Sequence, residues 1–79
     1  MNPLRIGIPK GKIRVITIDL FSHEYYIDTD CDTREEAFKI ADDNNRLRKG
    51  SMDDVWYVYD DAGKYIRGPE AIGGLGVSP

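Results

Sequence analysis

The stretch Thr33-Arg34-Glu35-Glu36 decides the fold, because it begins a helix in the middle of a chain that otherwise shows strand patterns. Thr33 is a favoured N-cap residue whose hydroxyl accepts a hydrogen bond from the amide of Glu36, and the Glu36 carboxylate can reach back over the helix start. Gly50 suits the end of the helix, since glycine readily adopts the left-handed conformation found there. The sequence therefore predicts one helix between Thr33 and Gly50.

The predicted helix is amphipathic. A spacing of 100° per residue places its apolar side chains on one broad face, which should pack on the rest of the protein. The apolar face consists of Ala37, Ile40, Ala41 and Leu47, with Phe38 at its margin. The side that faces water consists of Lys39, Asp42, Asp43 and Arg46.

Strand patterns flank the helix on both sides, at 12–21, 25–29, 55–59 and 64–67. The first strand has apolar residues on both faces, which is typical of a central strand. Between the last two strands, Asp60-Asp61-Ala62-Gly63 forms a hairpin loop with glycine where a positive φ is needed. A right-handed crossover after the second strand places the third beside the first. The prediction is an α+β fold with a mainly antiparallel four-stranded sheet, order 2-1-3-4, and one helix on one face.

The domain organisation follows from composition. Residues 1–11 hold two prolines and two glycines and are predicted to be a flexible N-terminal arm, with a single ββαββ domain at 12–67. A flexible tail rich in glycine and proline is expected at 68–79. A chain of 79 residues buries only about 60% of its unfolded surface, so it has little room for a dry catalytic cleft.

One helix covers only one face of a sheet, so the other face is expected to be open. Tyrosines tolerate such a half-wet position because the ring packs while the hydroxyl stays hydrated. The commoner role of strand tyrosines is cross-strand packing, and a binding platform is the alternative. The residues assigned to partner binding on this face are Val55, Tyr57, Tyr59 and Tyr65.

The favoured function is therefore a non-enzymatic, cytoplasmic protein-interaction or regulatory domain that binds a protein partner or forms a homodimer across this face. The alternative is a nucleic-acid-binding module that uses the basic arm and the basic helix end. The net charge of −3 disfavours broad binding to nucleic acid, although a local basic patch is compatible with it. The residues that would contact the phosphate backbone are Lys10, Lys12, Arg46, Arg48 and Lys49.

Catalytic, cofactor and metal sites are not predicted. The neighbouring Ser22, His23 and Glu24 point apart and have no evident oxyanion donor. The run Asp28-Thr29-Asp30-Cys31-Asp32 has alternating carboxylates, as a calcium loop does, but it lacks the glycine and glutamate that such a loop needs later. A single cysteine excludes an internal disulfide, and no stretch reaches the roughly 20 apolar residues of a membrane helix.

The order of elements, the helix start at 33–37 and the hairpin at 57–64 resemble small uncharacterised bacterial and phage proteins. These form a domain type of unknown function with a strand-strand-helix-strand-strand plan. The resemblance covers about residues 12–67. It implies the fold and carries over no activity, substrate or catalytic residue.

Overall fold

A computed structural model of the chain describes residues 3–47 and 54–73. They form one α-helix and one four-stranded antiparallel sheet, with short 3-10 turns at either end. The elements are a 3-10 turn at Pro3–Arg5, β1 at Ile13–Asp19, β2 at Glu24–Cys31, α1 at Arg34–Leu47, β3 at Asp54–Tyr59, β4 at Tyr65–Arg67 and a 3-10 turn at Pro69–Ile72.

The sheet has the order β2-β1-β3-β4, so the predicted fold and topology are confirmed. The strand β1 lies in the middle and pairs with β2 and β3 on its two sides. Its side chains are buried on both faces, with Ile13 and Val15 toward the helix and Ile16 and Ile18 away from it. The apolar pattern on both faces of this strand was therefore a reliable sign of its central position.

The helix begins with the predicted cap. The amide of Glu36 donates to the Thr33 hydroxyl at 3.1 Å, and the Glu36 carboxylate accepts in return from the amide of Asp32 at 3.3 Å. The return bond therefore reaches one residue further back than in a standard capping box. The predicted end at Gly50 lies outside the described residues.

Two assignments to the helix faces were wrong. Asp42, predicted to face water, is buried because Arg67 of β4 pairs with its carboxylate, with distances of 2.9 and 2.7 Å to the two oxygens. Leu47, predicted to pack on the core, is 83% exposed at the end of the helix. The periodicity alone could not show that a cation from a distant strand would neutralise Asp42.

Asn45 closes part of the outer edge of β3. Its side-chain amide donates to the carbonyl of Trp56 at 3.0 Å and accepts from the amide of Trp56 at 2.9 Å. The strand β4 pairs only with Val58 and Tyr59, so it does not reach this part of β3. The buried Asn45 side chain therefore makes the two hydrogen bonds that a neighbouring strand would make.

Residues 3–11 of the predicted arm and 68–73 of the predicted tail both lie against the sheet or helix. Ile8 is buried with the side chains of β1 and β3 on the face away from α1. The turn at Pro69–Ile72 lies against α1 and β3, and Pro69 is buried. Both terminal segments therefore contribute buried side chains to the fold.

Replacing Asn45 by alanine should lower the free energy of unfolding by about 2–4 kcal/mol, because two buried main-chain groups lose their hydrogen bonds. Urea unfolding followed by the fluorescence of Trp56, the one tryptophan of the chain, measures this change. Asn44→Ala is the matched control, since among the described residues its side chain bonds to the Ile40 carbonyl of its own helix and not to the sheet. Equal effects of the two substitutions would contradict the role given to Asn45.

Candidate interaction surface

The sheet face away from α1, which was expected to be open, is covered. Tyr57 is 0% and Tyr59 is 1% exposed, and Val55 is also buried. Leu4 and Ile8 of the N-terminal segment pack on this face. The expectation of an uncovered face is therefore wrong, because the N-terminal segment, residues 3–11, covers this face without forming a strand or an α-helix.

Tyr65 completes the packing of this face. Its ring meets the rings of Tyr57 and Tyr59 edge-on, with centroids 5.8 and 5.9 Å apart. Its hydroxyl donates to the Glu70 carboxylate, and burial together with this bond raises its pKa. In this structure the residues assigned to partner binding pack against other parts of the protein. A partner would reach Tyr57 or Tyr59 only if the N-terminal segment moved away from the sheet.

Arg14 attaches the N-terminal segment to the sheet. Its guanidinium makes a two-pronged ion pair with Asp30 of β2, at 2.7 and 2.9 Å, and donates to the Leu4 carbonyl at 3.1 Å. The Arg14 side chain is only 10% exposed, so these bonds form largely out of water. The hydrogen bond from Arg14 holds the pKa of the Asp30 carboxyl below its usual value.

The basic residues of the nucleic-acid alternative do not meet among the described residues. Lys12 pairs with Asp32 before the helix, and Arg46 pairs with Asp43 in its last turn. A helix of 14 residues separates them by about 20 Å, at 1.5 Å per residue. Lys10 is exposed in the N-terminal segment, while Arg48 and Lys49 lie outside the described residues.

The carboxylates of the calcium-like run have three different partners. Asp28 accepts from the Trp56 indole at 2.8 Å, Asp30 binds Arg14, and Asp32 binds Lys12. Within 3–47 and 54–73, no three His, Cys, Asp or Glu side chains are grouped to hold a metal ion. Cys31 is buried, which raises the pKa of its thiol and disfavours the reactive thiolate.

A shallow cleft of about 290 Å³ lies between the N-terminal segment and the β3–β4 hairpin. Arg5, Lys64 and Asp61 line it, so charges of both signs meet there. The Asp61 carboxylate already accepts from the amide of Gly11 at 2.8 Å. This cleft therefore lies where the N-terminal segment meets the β3–β4 hairpin.

The exposed apolar side chains point to another surface, the β1–β2 hairpin. Three of the five large apolar side chains that are exposed in the described part of the chain lie in this turn or in β2. They are Phe21 at 88%, Tyr26 at 48% and Ile27 at 47% exposure. Exposed apolar side chains that lie close together often mark an interaction site, whereas scattered ones do not.

Hydrogen bonds within the turn between β1 and β2 fix the backbone that carries Phe21. The Asp19 carboxylate accepts from the amides of Phe21 and Ser22 at 2.9 and 3.2 Å. The amide of His23 donates to the Asp19 carbonyl at 2.8 Å, and His23 adopts a left-handed φ of 61°. The turn therefore presents the aromatic ring to solvent from a backbone that is already ordered.

The strand β2 is an edge strand, with a neighbour in the sheet on one side only. Tyr26 pairs with Thr17 on the helix side of the sheet, and Ile27 pairs with Ile16 on the other side. Since both are about half exposed, neither α1 nor the N-terminal segment covers this border. The edge is accessible from both faces, which suits the addition of an extended strand.

Two carboxylates accompany the exposed apolar side chains. Glu24 accepts from the Tyr26 hydroxyl at 2.9 Å, and this bond raises the pKa of Tyr26. Asp28 lies at a bulge, since the register passes from Ile16–Ile27 to Val15–Thr29 and leaves it unpaired with β1. We define the hairpin surface as Phe21, Glu24, Tyr26, Ile27 and Asp28.

Comparison with protein-family models, curated proteins and solved structures finds no significant match to this chain. The resemblance to small bacterial and phage proteins therefore stays a prediction. Within the described residues, no helix has the length and apolar character needed to cross a membrane.

Replacing Ile8 by serine should lower the free energy of unfolding by about 2 kcal/mol, because it removes a buried side chain from the cover. Ile6→Ser, two residues earlier, should change it by less than about 0.5 kcal/mol, since Ile6 is exposed. Urea unfolding measures both. Equal losses would contradict the covering role of Ile8.

The Arg14–Asp30 pair should make stability depend on pH. The pKa of Asp30 is lowered in the folded state, so its contribution is present above the unfolded value of about 4 and is lost as the pH falls through the folded value. The difference in unfolding free energy between wild type and Asp30→Asn should therefore be largest above about pH 5 and should shrink toward pH 2.

Urea titrations at intervals between pH 2 and pH 7 measure this difference. Asp43→Asn is the control. The pKa of Asp43 is lowered in the same direction, but its pair with Lys39 is exposed and well screened, so the unfolding free energy of this variant should differ from wild type by a smaller amount that varies less with pH. A difference for Asp30→Asn that does not vary with pH would contradict the assigned pair.

Proposed function

We propose that this chain is a small non-enzymatic protein-interaction domain that binds a protein partner through the hairpin surface and the outer edge of β2. The observation that carries the proposal is the grouping of Phe21, Tyr26 and Ile27 on one hairpin beside an accessible strand edge. This surface replaces the buried tyrosine face as the place of contact.

The geometry supports strand addition over contact with a flat face. Tyr26 and Ile27 are neighbours that lie on opposite sides of the sheet. A partner resting on one face would cover only one of them. A partner strand beside β2 can contact both, while its main chain bonds to the outward groups of the edge.

The exposure of Phe21 supports an anchor at one end of this contact. Burying a phenylalanine side chain contributes about 1.5–3 kcal/mol, and such aromatic residues dominate many interfaces. The ordered turn lowers the cost of binding, because little further backbone freedom is lost there. Phe21 therefore suits a pocket or an apolar side chain on the partner.

A library of displayed octapeptides, selected on the immobilised full chain, tests this function. Enriched peptides should bind Phe21→Ser and Tyr26→Ser at least about tenfold more weakly than wild type, because the apolar contacts are lost. Leu47→Ser should bind them as wild type does, since Leu47 is equally exposed but lies at the end of α1. Fluorescence anisotropy with the synthesised peptides gives the affinities.

The site of binding is checked by amide NMR. Shift changes on adding an enriched peptide should fall within 20–30, and the amides of β2 should exchange with solvent more slowly. Urea unfolding confirms that all variants fold. If no enriched peptide distinguishes the hairpin variants from Leu47→Ser, the proposed function is wrong.

A further inference from the structure

The charge of the hairpin surface indicates what kind of strand it accepts. We infer that the occupant is an extended segment of a partner protein with lysine or arginine residues four positions apart and an apolar residue midway between them. The inference rests on the proposed function and specifies the partner of the same surface.

Both charged residues of the hairpin surface, Glu24 and Asp28, are acidic. Residues 15–33 contain five acids and no lysine or arginine. Arg14 and Lys12 neutralise Asp30 and Asp32 from outside this range. Glu24 and Asp28 instead accept from neutral donors, the Tyr26 hydroxyl and the Trp56 indole, so their negative charges are retained.

The spacing follows from strand geometry. Glu24 pairs with Asp19 on the helix side of the sheet, and the Asp28 carboxylate turns to the same side to reach Trp56. Tyr26 lies between them on that side. Glu24 to Ile27 keep a regular register with β1, so alternate residues there share a face, and the four-residue step from Glu24 to the bulge at Asp28 spans about 13 Å. A partner strand would thus place two cations beside Glu24 and Asp28 and an apolar side chain beside Tyr26.

A second copy of this chain fits the edge poorly. Pairing β2 with itself would bring Glu24 and Asp28 of both copies together, and like charges across strands are destabilising. Like charges are one feature by which edge strands avoid pairing with their own copies.

The octapeptides enriched on the full chain test the inference, together with a labelled probe, Thr-Lys-Thr-Val-Thr-Lys-Thr. The enriched sequences should be rich in lysine or arginine at positions i and i+4. The probe should bind, and binding should weaken several-fold between 50 and 300 mM salt. The same peptide with glutamate in place of both lysines should bind at least about tenfold more weakly.

Substitutions that remove a negative charge but keep the hydrogen bond show which carboxylates contact the peptide. Glu24→Gln and Asp28→Asn still offer an oxygen to Tyr26 and Trp56, and each should weaken probe binding roughly two- to fivefold. Glu35→Gln changes the net charge equally but lies exposed on α1, so binding should be unchanged.

The outcomes separate the two claims. Peptides that depend on Phe21 and Tyr26 but lack basic residues would overturn the inference and leave the proposed function in place. Absence of any hairpin-dependent peptide would overturn both. Light scattering that shows a dimer of the wild type, lost in Tyr26→Ser, would make a second copy the occupant and would also overturn the inference.

Discussion

The whole structure depends on covering both faces of a sheet with few residues. The central strand β1 is apolar on both sides, so neither face can be left in water. The helix α1 covers one face, and the N-terminal segment, with Ile8 at its centre, covers the other. Because residues 3–11 form no strand in the part of the chain that the structure describes, side chains contribute much of their attachment to the sheet. Arg14 is one of them: it joins β1, β2 and the Leu4 carbonyl through a single guanidinium group. The positively charged side chain is tolerated near the core since Asp30 neutralises it with ideal fork geometry.

Local signals in the sequence predicted the fold well. The Thr33 cap, the glycine of the hairpin at Gly63, with φ of 79°, and the two-faced pattern of β1 each specify their own structure without help from distant residues. Features that depend on distant contacts were missed. Asp42 is buried only because Arg67 reaches it, and Asn45 is buried only because β4 is too short to cover Trp56. Proline and glycine in the first eleven residues indicated a loose arm. The apolar residues Leu4, Ile6 and Ile8 of that segment were a weak signal that it packs, but their pattern does not say which of them is buried or against which face.

The candidate site shifted for the same reason. Once the N-terminal segment buries Tyr57 and Tyr59, the aromatic character of β3 belongs to the core. The residues that stay outside, Phe21, Tyr26 and Ile27, belong to strands and turns whose sequence pattern looks unremarkable, because their exposure follows from where the helix and the cover end. Their charges were visible in the sequence as an acidic stretch. Which carboxylates pair with a cation became clear only from the structure, since Arg14 and Lys12 neutralise Asp30 and Asp32, whereas Glu24 and Asp28 accept from neutral donors.

The Asn45 amide has a consequence for how this molecule can assemble. It closes the border of β3 beside a strand of only three residues, so β2 is the one long border of the sheet without a neighbouring strand among residues 3–47 and 54–73. Growth of a fibre by stacking identical sheets side by side requires two receptive borders on every unit. A unit with one such border terminates the stack as soon as that border is occupied. A segment added at β2 would therefore extend the sheet by one strand, while Asn45 already occupies the main-chain groups of Trp56 at the border of β3.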